Sequence, residues 1–566
     1  MDRKSVKEKV VKLSVVLLST FLSTCSTAQV PMKEEVMDKN KLLFDITYAE
    51  QGWSDAIRQL YYYTPQGSQI MPVEWFVALQ NPQGGLFSES KNLMQFGFIA
   101  PEIEHPLNPY QLPIGFAIEK VEDGPDLVGL TCAACHTSNV SVQGKLIRVD
   151  GAPAHLDFDR FYQALAQSVS YSLWDEKAFS RFSALVLPKV TEKKAAKLKA
   201  EFSALEASIK GDAEIRKPHR ESGYGRVDAL TQILNALSVT HQQWPDNLRS
   251  IDAPTSYPFL WLAPQLEFVQ WNPIASSPIS RNGGEVLGVF GKANLYSSDE
   301  KRYSSTLLIS ELAALEKWLE ELNPPAWDET LLGKIDYTRA ESGQALYKEY
   351  CVECHSVAPY AMTDPKDNAF GKTFIKIGRV DYKDVGTDPL YIEGLLTRLV
   401  TTRATLDQKQ SVEPALQFFL DSVGAILTRA MDDANLSDEA KIALNGFRFR
   451  PSVDGKPPEI YSPSSFTDLK ASPIAGAWAT APYLHNGSVP TLYELLSPES
   501  ERRRVFWTGS RELDLDRIGF VSDNAPGRFR FDTTLLGNHN TGHNYPAQGL
   551  DHEQRLDVIE YIKTLH

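Results

Sequence analysis

Cys132-Ala133-Ala134-Cys135-His136 and Cys351-Val352-Glu353-Cys354-His355 are two copies of one C-x-x-C-H pattern, and nothing else in the chain restricts it as much. Two thiols three positions apart on one turn can add to the two vinyl groups of a haem, and the histidine beside them then binds the iron. Zinc, a thioredoxin-like redox pair and plain disulfides are the competing readings. A zinc site of two Cys and two His needs its halves together, whereas each motif here stands alone. A thioredoxin-like pair does not require His after its second Cys, still less twice. The chain holds 5 Cys, and all but Cys25 fall in the motifs. The sequence therefore predicts two covalently bound haem c groups. Cys132, Cys135, Cys351 and Cys354 are the attachment points, and His136 and His355 are the iron ligands.

The N-terminus reads as an export signal. Arg3, Lys4, Lys7, Lys9 and Lys12 precede an apolar run from Leu13 to Leu22, too short to span a bilayer. Cleavage after Ala28 puts Ser26 at the −3 position. Leu22-Ser23-Thr24-Cys25 is a second option, similar to a lipobox, with Cys25 as a lipid anchor, although Thr24 departs from the small residue usual there. Residues 1–28 are accordingly read as a signal peptide. The mature protein is expected in the periplasm or secreted, or held at the outer membrane as a lipoprotein. With 42% apolar and 23% charged residues, disorder and a polytopic membrane protein are excluded. A net charge of −14 repels phosphate backbones, so nucleic acid is not a partner. It favours a basic protein partner; the expected electron donor is a small redox protein, a cytochrome or cupredoxin.

Periodicity gives the organisation. Gly343, Tyr347 and Cys351 share one helical face, and Leu556, Ile559, Ile562 and Leu565 form an apolar stripe on the last helix. Small Gly343 lets these two helices cross closely, as in a cytochrome c frame. Helices are predicted over 156–172, 176–211, Arg226–Leu237 and Thr306–Leu322, the last stopped by Asn323-Pro324-Pro325. Residues 250–300 read as loop, and 385–445 as a helical insertion. Strand signals are weak. The expected fold is mainly α: two cytochrome c-like haem domains, 29–325 and 326–566, with long loop-rich elaborations.

The segment Trp478-Ala-Thr-Ala-Pro-Tyr-Leu-His-Asn-Gly-Ser-Val-Pro-Thr-Leu492 resembles the T-A-P-Y-x-H-x-G-S-x-x-T-L stretch of bacterial diheme cytochrome c peroxidases. Tyr63-Thr-Pro-Gln-Gly67, Gly129-Leu-Thr-Cys-Ala-Ala-Cys-His136 and Gly537-Asn-His-Asn-Thr-Gly-His543 make the whole chain look nearest the rubber-oxygenase-like branch of that superfamily. The resemblance implies that His485 lies close to the haems as a relay or scaffold residue. It also implies that carbonyls of Thr480 and Pro482 help hold a calcium ion, and that a Trp stands between the haems. Trp261 and Trp271 are preferred for that role over Trp244. His543, in a Gly-rich loop before the last helix, matches the distal ligand of the second haem; His539 is its neighbour and rival. Met362 is too near His355 to reach the opposite face, and Met431 is the other methionine of that half.

For the first haem no second ligand stands out among His105, His155, His219 and His241, so one iron face is expected to be open to peroxide or dioxygen. Moving a proton between two peroxide oxygens calls for a base, and Glu285, in the Arg281-Asn-Gly-Gly-Glu285 stretch, is the candidate. The reading is an exported oxidoreductase, peroxidase-like, with the first haem as reaction centre and the second relaying electrons. The alternatives are an oxygenase acting on an apolar, polyisoprenoid-like substrate, and an electron carrier with both irons closed.

Overall fold

A computed structural model describes residues 46–276, 278–367, 371–403, 410–446, 449–450, 459–460 and 465–566. Residues 1–28, read from the sequence as a signal peptide, and Cys25 among them lie outside the described residues. Among those residues no helix is long and apolar enough to cross a membrane.

Two small sheets frame the first motif. In one, Ile46–Tyr48 runs parallel to Lys145–Asp150, which pairs antiparallel with Thr137–Val142. In the other, Leu127–Leu130 lies between Met71–Pro72 and Phe116–Glu119. Strand Leu127–Leu130 ends at Thr131, whose hydroxyl caps the single helical turn Cys132–Cys135, and strand Thr137–Val142 follows at once. The motif is thus pinned at both ends by sheet hydrogen bonds. Gly129 is obligatory here: a Cβ on it would sit 1.7 Å from the Ser68 carbonyl oxygen. Behind the motif, buried Asp150 accepts from Arg58 Nε at 2.7 Å and from the Tyr62 hydroxyl at 2.5 Å, which compensates its desolvation.

The expectation of a mainly α chain does not hold: the structure is 39% helical with 15% strand. The strands are only two to six residues long, and several are buried on both faces. In Thr137–Val142, Thr137, Ser138 and Asn139 are all buried, so polar and apolar residues do not alternate as they do in a half-buried strand.

The helices lie close to their expected positions. Phe158–Trp174, Glu176–Val186 and Glu192–Ile215 follow the first motif, each opened by an Asp or Thr cap. Ala229–Asn235 runs into a π-helical turn, Ala236–His241. Within the stretch read as loop, Pro278–Gly288 is a helix. Ile309–Leu319 ends before the double proline. The insertion contains helices Leu390–Thr397, Ala415–Asp433 and Asp438–Gly446, and also a hairpin, Leu399–Arg403 with Gln410–Pro414. Its helix Ala415–Asp433 backs Pro278–Gly288, where a Cβ on Gly283 would come 2.9 Å from Leu427.

At the C-terminal end, helix Tyr337–Tyr350 crosses helix His552–Lys563. The crossing point is Gly343, where an added Cβ would stand 1.9 Å from the Asp557 carbonyl oxygen. Arg339 clamps the pair through Asp557 at 2.9 Å and Glu553 at 2.7 Å. Gly343→Val must push the helices apart and is expected to cost at least about 1–3 kcal/mol, read as a lower denaturant midpoint.

Candidate functional site

The two motifs are built alike, although the sequence around them is not repeated. His136 Nδ1 lies 2.8 Å from the Pro258 carbonyl oxygen, and His355 Nδ1 lies 2.7 Å from that of Ser472. Each carbonyl can only accept, so each ring donates from Nδ1 and presents Nε2 as a lone pair. A tyrosine fixes each histidine's own carbonyl: the Tyr61 hydroxyl donates to His136 at 2.8 Å, and the Tyr347 hydroxyl to His355 at 2.7 Å. Burial holds His136 neutral down to about 4 and pushes His355 below its ordinary value. The four motif thiols are free of disulfides, and burial raises Cys132 to about 12 and Cys351 to about 11.

A cavity with an empty volume of about 1240 Å³, its mouth included, opens beside the first motif, with Cys132, Cys135 and His136 on its wall. Phe158, Ile233, Phe259, Leu260 and Leu319 make much of it apolar. Glu285 and Trp271 line it too, together with Gln270, Arg281 and Lys470. Glu285 accepts from Gln270 Nε2 at 2.8 Å, and burial raises its carboxyl above the ordinary range against the opposing pull of Gln270 and Arg281. Arg281 is paired with Glu316. Burial, with Arg281 adding to it, lowers the Lys470 ammonium to about 8. The Trp271 indole donates to the Ser256 carbonyl at 2.9 Å. His136 is the one imidazole on this wall, and no methionine lines it among the described residues.

At the second motif, the rings of His355 and His543 are 6.1 Å apart between centroids. Two imidazoles on opposite faces of one metal, each at a bond of about 2.0 Å, place their centroids about 6 Å apart. His543 has φ 52° and follows Gly542 at φ 75°. A Cβ on Gly542 would come 2.3 Å from the Gly386 carbonyl carbon. The loop is tied by His543 N to Val385 O at 2.8 Å and by Arg502 Nη1 to Asn540 O and Gly542 O at 2.6 and 2.8 Å. His539 points elsewhere, with Nδ1 3.4 Å from Asp388. Free thiols and oriented imidazoles at both motifs, with the cavity beside the first and this ring spacing at the second, are what covalent haem c requires.

Trp261 is tied to both sites through short stretches of chain. It is fully buried, stacks on Phe259 of the cavity wall at 4.8 Å, and donates from Nε1 to the Ala475 carbonyl at 2.9 Å. Residues 258–261 thus connect the anchor of His136 to Trp261, and residues 472–475 connect the anchor of His355 to the same indole. Trp244 does not line the cavity. His485 is buried, held neutral down to about 4 chiefly by burial, with its ring 5.9 Å from Tyr391 and off the cavity wall. The Thr480 hydroxyl donates to the Ala477 carbonyl at 2.9 Å, and Pro482 lines a second, smaller recess. Among the described residues no cluster of three or more His, Cys, Asp or Glu could hold a metal, so a calcium ion at Thr480 and Pro482 would rest largely on carbonyls.

The other histidines sit away from the first cavity. His105 stacks on Tyr63, His155 packs on Phe520 in the smaller recess, His219 is tied to Ile251 through its backbone, and His241 closes the π-helical turn. Met362 is exposed and Met431 is buried in the Ala415–Asp433 helix.

Residues 469–508 match a family model described as RoxA-like, cytochrome c-like. The uncharacterized protein y4iJ of Sinorhizobium fredii (strain NBRC 101917 / NGR234) is 32% identical over 580 residues, covering 92% of this chain and 93% of the relative. This chain belongs to the y4iJ family. A second uncharacterized protein of the same organism, y4iM, is 23% identical over 421 residues, covering 71% of this chain and 82% of the relative. The match supports a RoxA-like diheme branch, covalent haem c and a haem-dependent redox role for this y4iJ-family chain. It covers one cytochrome c-like segment, not the two domains expected from the sequence. That segment carries Lys470, the Ser472 and Ala475 carbonyls, Thr480, Pro482 and His485. Sequence reasoning missed Lys470, Arg281 and Gln270, which carry no motif, and the two anchoring carbonyls, which belong to the backbone. Tyr347, one turn before Cys351, was legible as a neighbour of the motif, though not as a clamp.

Proposed function

We propose that the chain is an exported diheme c-type oxidoreductase that reduces peroxide in the cavity beside His136. Haem c, once attached, would supply an iron able to exchange electrons and to bind peroxide or dioxygen. Cys132 and Cys135 would hold one group and Cys351 and Cys354 the other; His136 would bind the first iron, and His355 with His543 the second. The observation that carries the peroxide reading is Glu285: a half-buried carboxyl shares one cavity with His136. In its ionised form it takes a proton from one peroxide oxygen and returns it to the departing one. Arg281 offsets its charge, and the apolar walls exclude bulk water. The overall change joins one peroxide, two electrons and two protons to give two waters.

Electrons come from a small basic redox protein and pass by way of the second site and Trp261. Trp261→Phe keeps the stack on Phe259 but removes the indole donor to Ala475. It is expected to slow electron passage between the sites several-fold in stopped-flow reduction while leaving both haem spectra unchanged.

The test is turnover by the purified holoprotein. Supplied with peroxide and a reduced basic cytochrome, it should oxidise two cytochromes per peroxide. The mass of the mature protein isolated from the periplasm should show loss of residues 1–28, or a lipid on Cys25. The apolar cavity lining and the RoxA-like match favour one second reading, an oxygenase for an apolar polyisoprenoid-like substrate. Dioxygen uptake with a polyisoprene, and no cytochrome oxidation by peroxide, would establish that reading instead.

A further inference from the structure

Peroxide reduction consumes two protons in a cavity walled largely by apolar side chains. Glu285 moves a proton within that cavity but is no net source. A third recess, with an empty volume of about 1080 Å³ including its open mouth, lies at the start of helix Phe158–Trp174. Phe158 lines the cavity, whereas its neighbours Asp157 and Asp159 line the recess, with Arg160, Lys217 and Glu221. Asp159 is only 5% exposed. Its Oδ1 accepts from Gln232 Nε2 at 2.7 Å, and its Oδ2 accepts from the Ser222 hydroxyl. Gln232, 2% exposed, is itself part of the cavity wall. One side chain therefore touches both Asp159 and the cavity.

We infer that Asp159 and Gln232 form the proton inlet of the cavity, an assignment that rests on the peroxide reading and extends it. Asp159 takes a proton from solvent in the recess and, with the Gln232 amide turned so that Oε1 faces it, gives that proton to Oε1 as Nε2 releases one to oxygen in the cavity; after the group turns back, a second proton passed to Nε2 as the Oε1–H is released restores the amide. The carboxylate is regenerated with each passage, and no electron moves on this path. Its two partners are neutral side chains that can bond either the acid or the carboxylate. The nearby Asp228 is different, because its oxygens already accept the backbone amides of Thr231, Asp252 and Ala253. Burial raises Asp159 to about 7; Asp157 on its own helix and Asp228 on the facing one add to this, and Ser222 and Gln232 oppose it. Arg226 and Tyr257, on the segments packed alongside, also feel its charge. A group poised near neutrality both gains and loses protons readily.

The test uses the full-length holoprotein and the variants Asp159→Asn, Asp159→Glu and Gln232→Leu. Infrared difference spectra on reduction, without peroxide, read the coupling directly. A carboxyl band should shift in the wild type, vanish in Asp159→Asn and stay still in Gln232→Leu. A wild-type protein without such a band overturns the inlet. With peroxide and a reduced cytochrome, Asp159→Asn and Gln232→Leu should slow turnover about tenfold, less than the roughly 10²–10⁴ of a group acting on the substrate itself. Both should flatten its neutral pH dependence, and Asp159→Glu should restore it. Wild-type rates and pH profiles in both variants would also overturn the inlet. A wild type with the band but no peroxide turnover would sink the peroxide reading and leave the inlet standing.

Discussion

Glu285→Gln is expected to lower kcat/KM for peroxide by about 10²–10⁴-fold, the range for a group that moves a proton in the transition state. The amide keeps the shape and can still bond Gln270, whose Nε2 holds Glu285 at 2.8 Å. It cannot accept the peroxide proton. Burial raises the Glu285 carboxyl above its ordinary range, with Gln270 and Arg281 opposing. The active form is the carboxylate, so activity should rise with pH through that raised value and be lost as pH falls below it. The acidic limb should disappear in the variant. Initial rates across pH, with both haem spectra as a control for assembly, check the prediction. An unchanged rate with intact spectra would remove Glu285 from the reaction and shift weight to dioxygen chemistry on an apolar substrate.

Contiguous patterns in this chain were more legible than its architecture. Each C-x-x-C-H is contiguous, so its thiols and imidazole are set by one turn of backbone and need no long-range information. The crossing of the terminal helices was legible for a similar reason: Gly343 and the stripe ending at Leu565 are local patterns. Glu285 was picked as a base and does line the first cavity, but on a helix and not in a loop, because the two glycines before it mask the periodicity. The sheets were invisible. Strands such as Met71–Pro72 are too short to alternate, and Thr137–Val142 buries its polar residues among apolar ones. The carbonyls of Pro258 and Ser472, which orient the two imidazoles, could not be seen at all, because a side-chain pattern says nothing of where a distant backbone oxygen lands.

On the proposed diheme reading, His543→Gly should convert one haem from low-spin to high-spin almost completely and leave the other untouched. The reasoning is geometric. The His355 and His543 rings stand 6.1 Å apart, the spacing that one metal between them requires. The ring is held there by its backbone, since Val385 and Arg502 tie residues 540–543 through main-chain atoms. At φ 52° a glycine takes the position without strain, so the loop should survive loss of the side chain. Imidazole added to the solution can then enter the space left and restore the low-spin spectrum, which separates loss of a ligand from collapse of the site. Electron delivery to the first site should fall in step with the spin change and recover with imidazole. If the variant stays low-spin without imidazole, His543 is not the ligand. His539→Gly then becomes the decisive variant, although its ring now leans on Asp388.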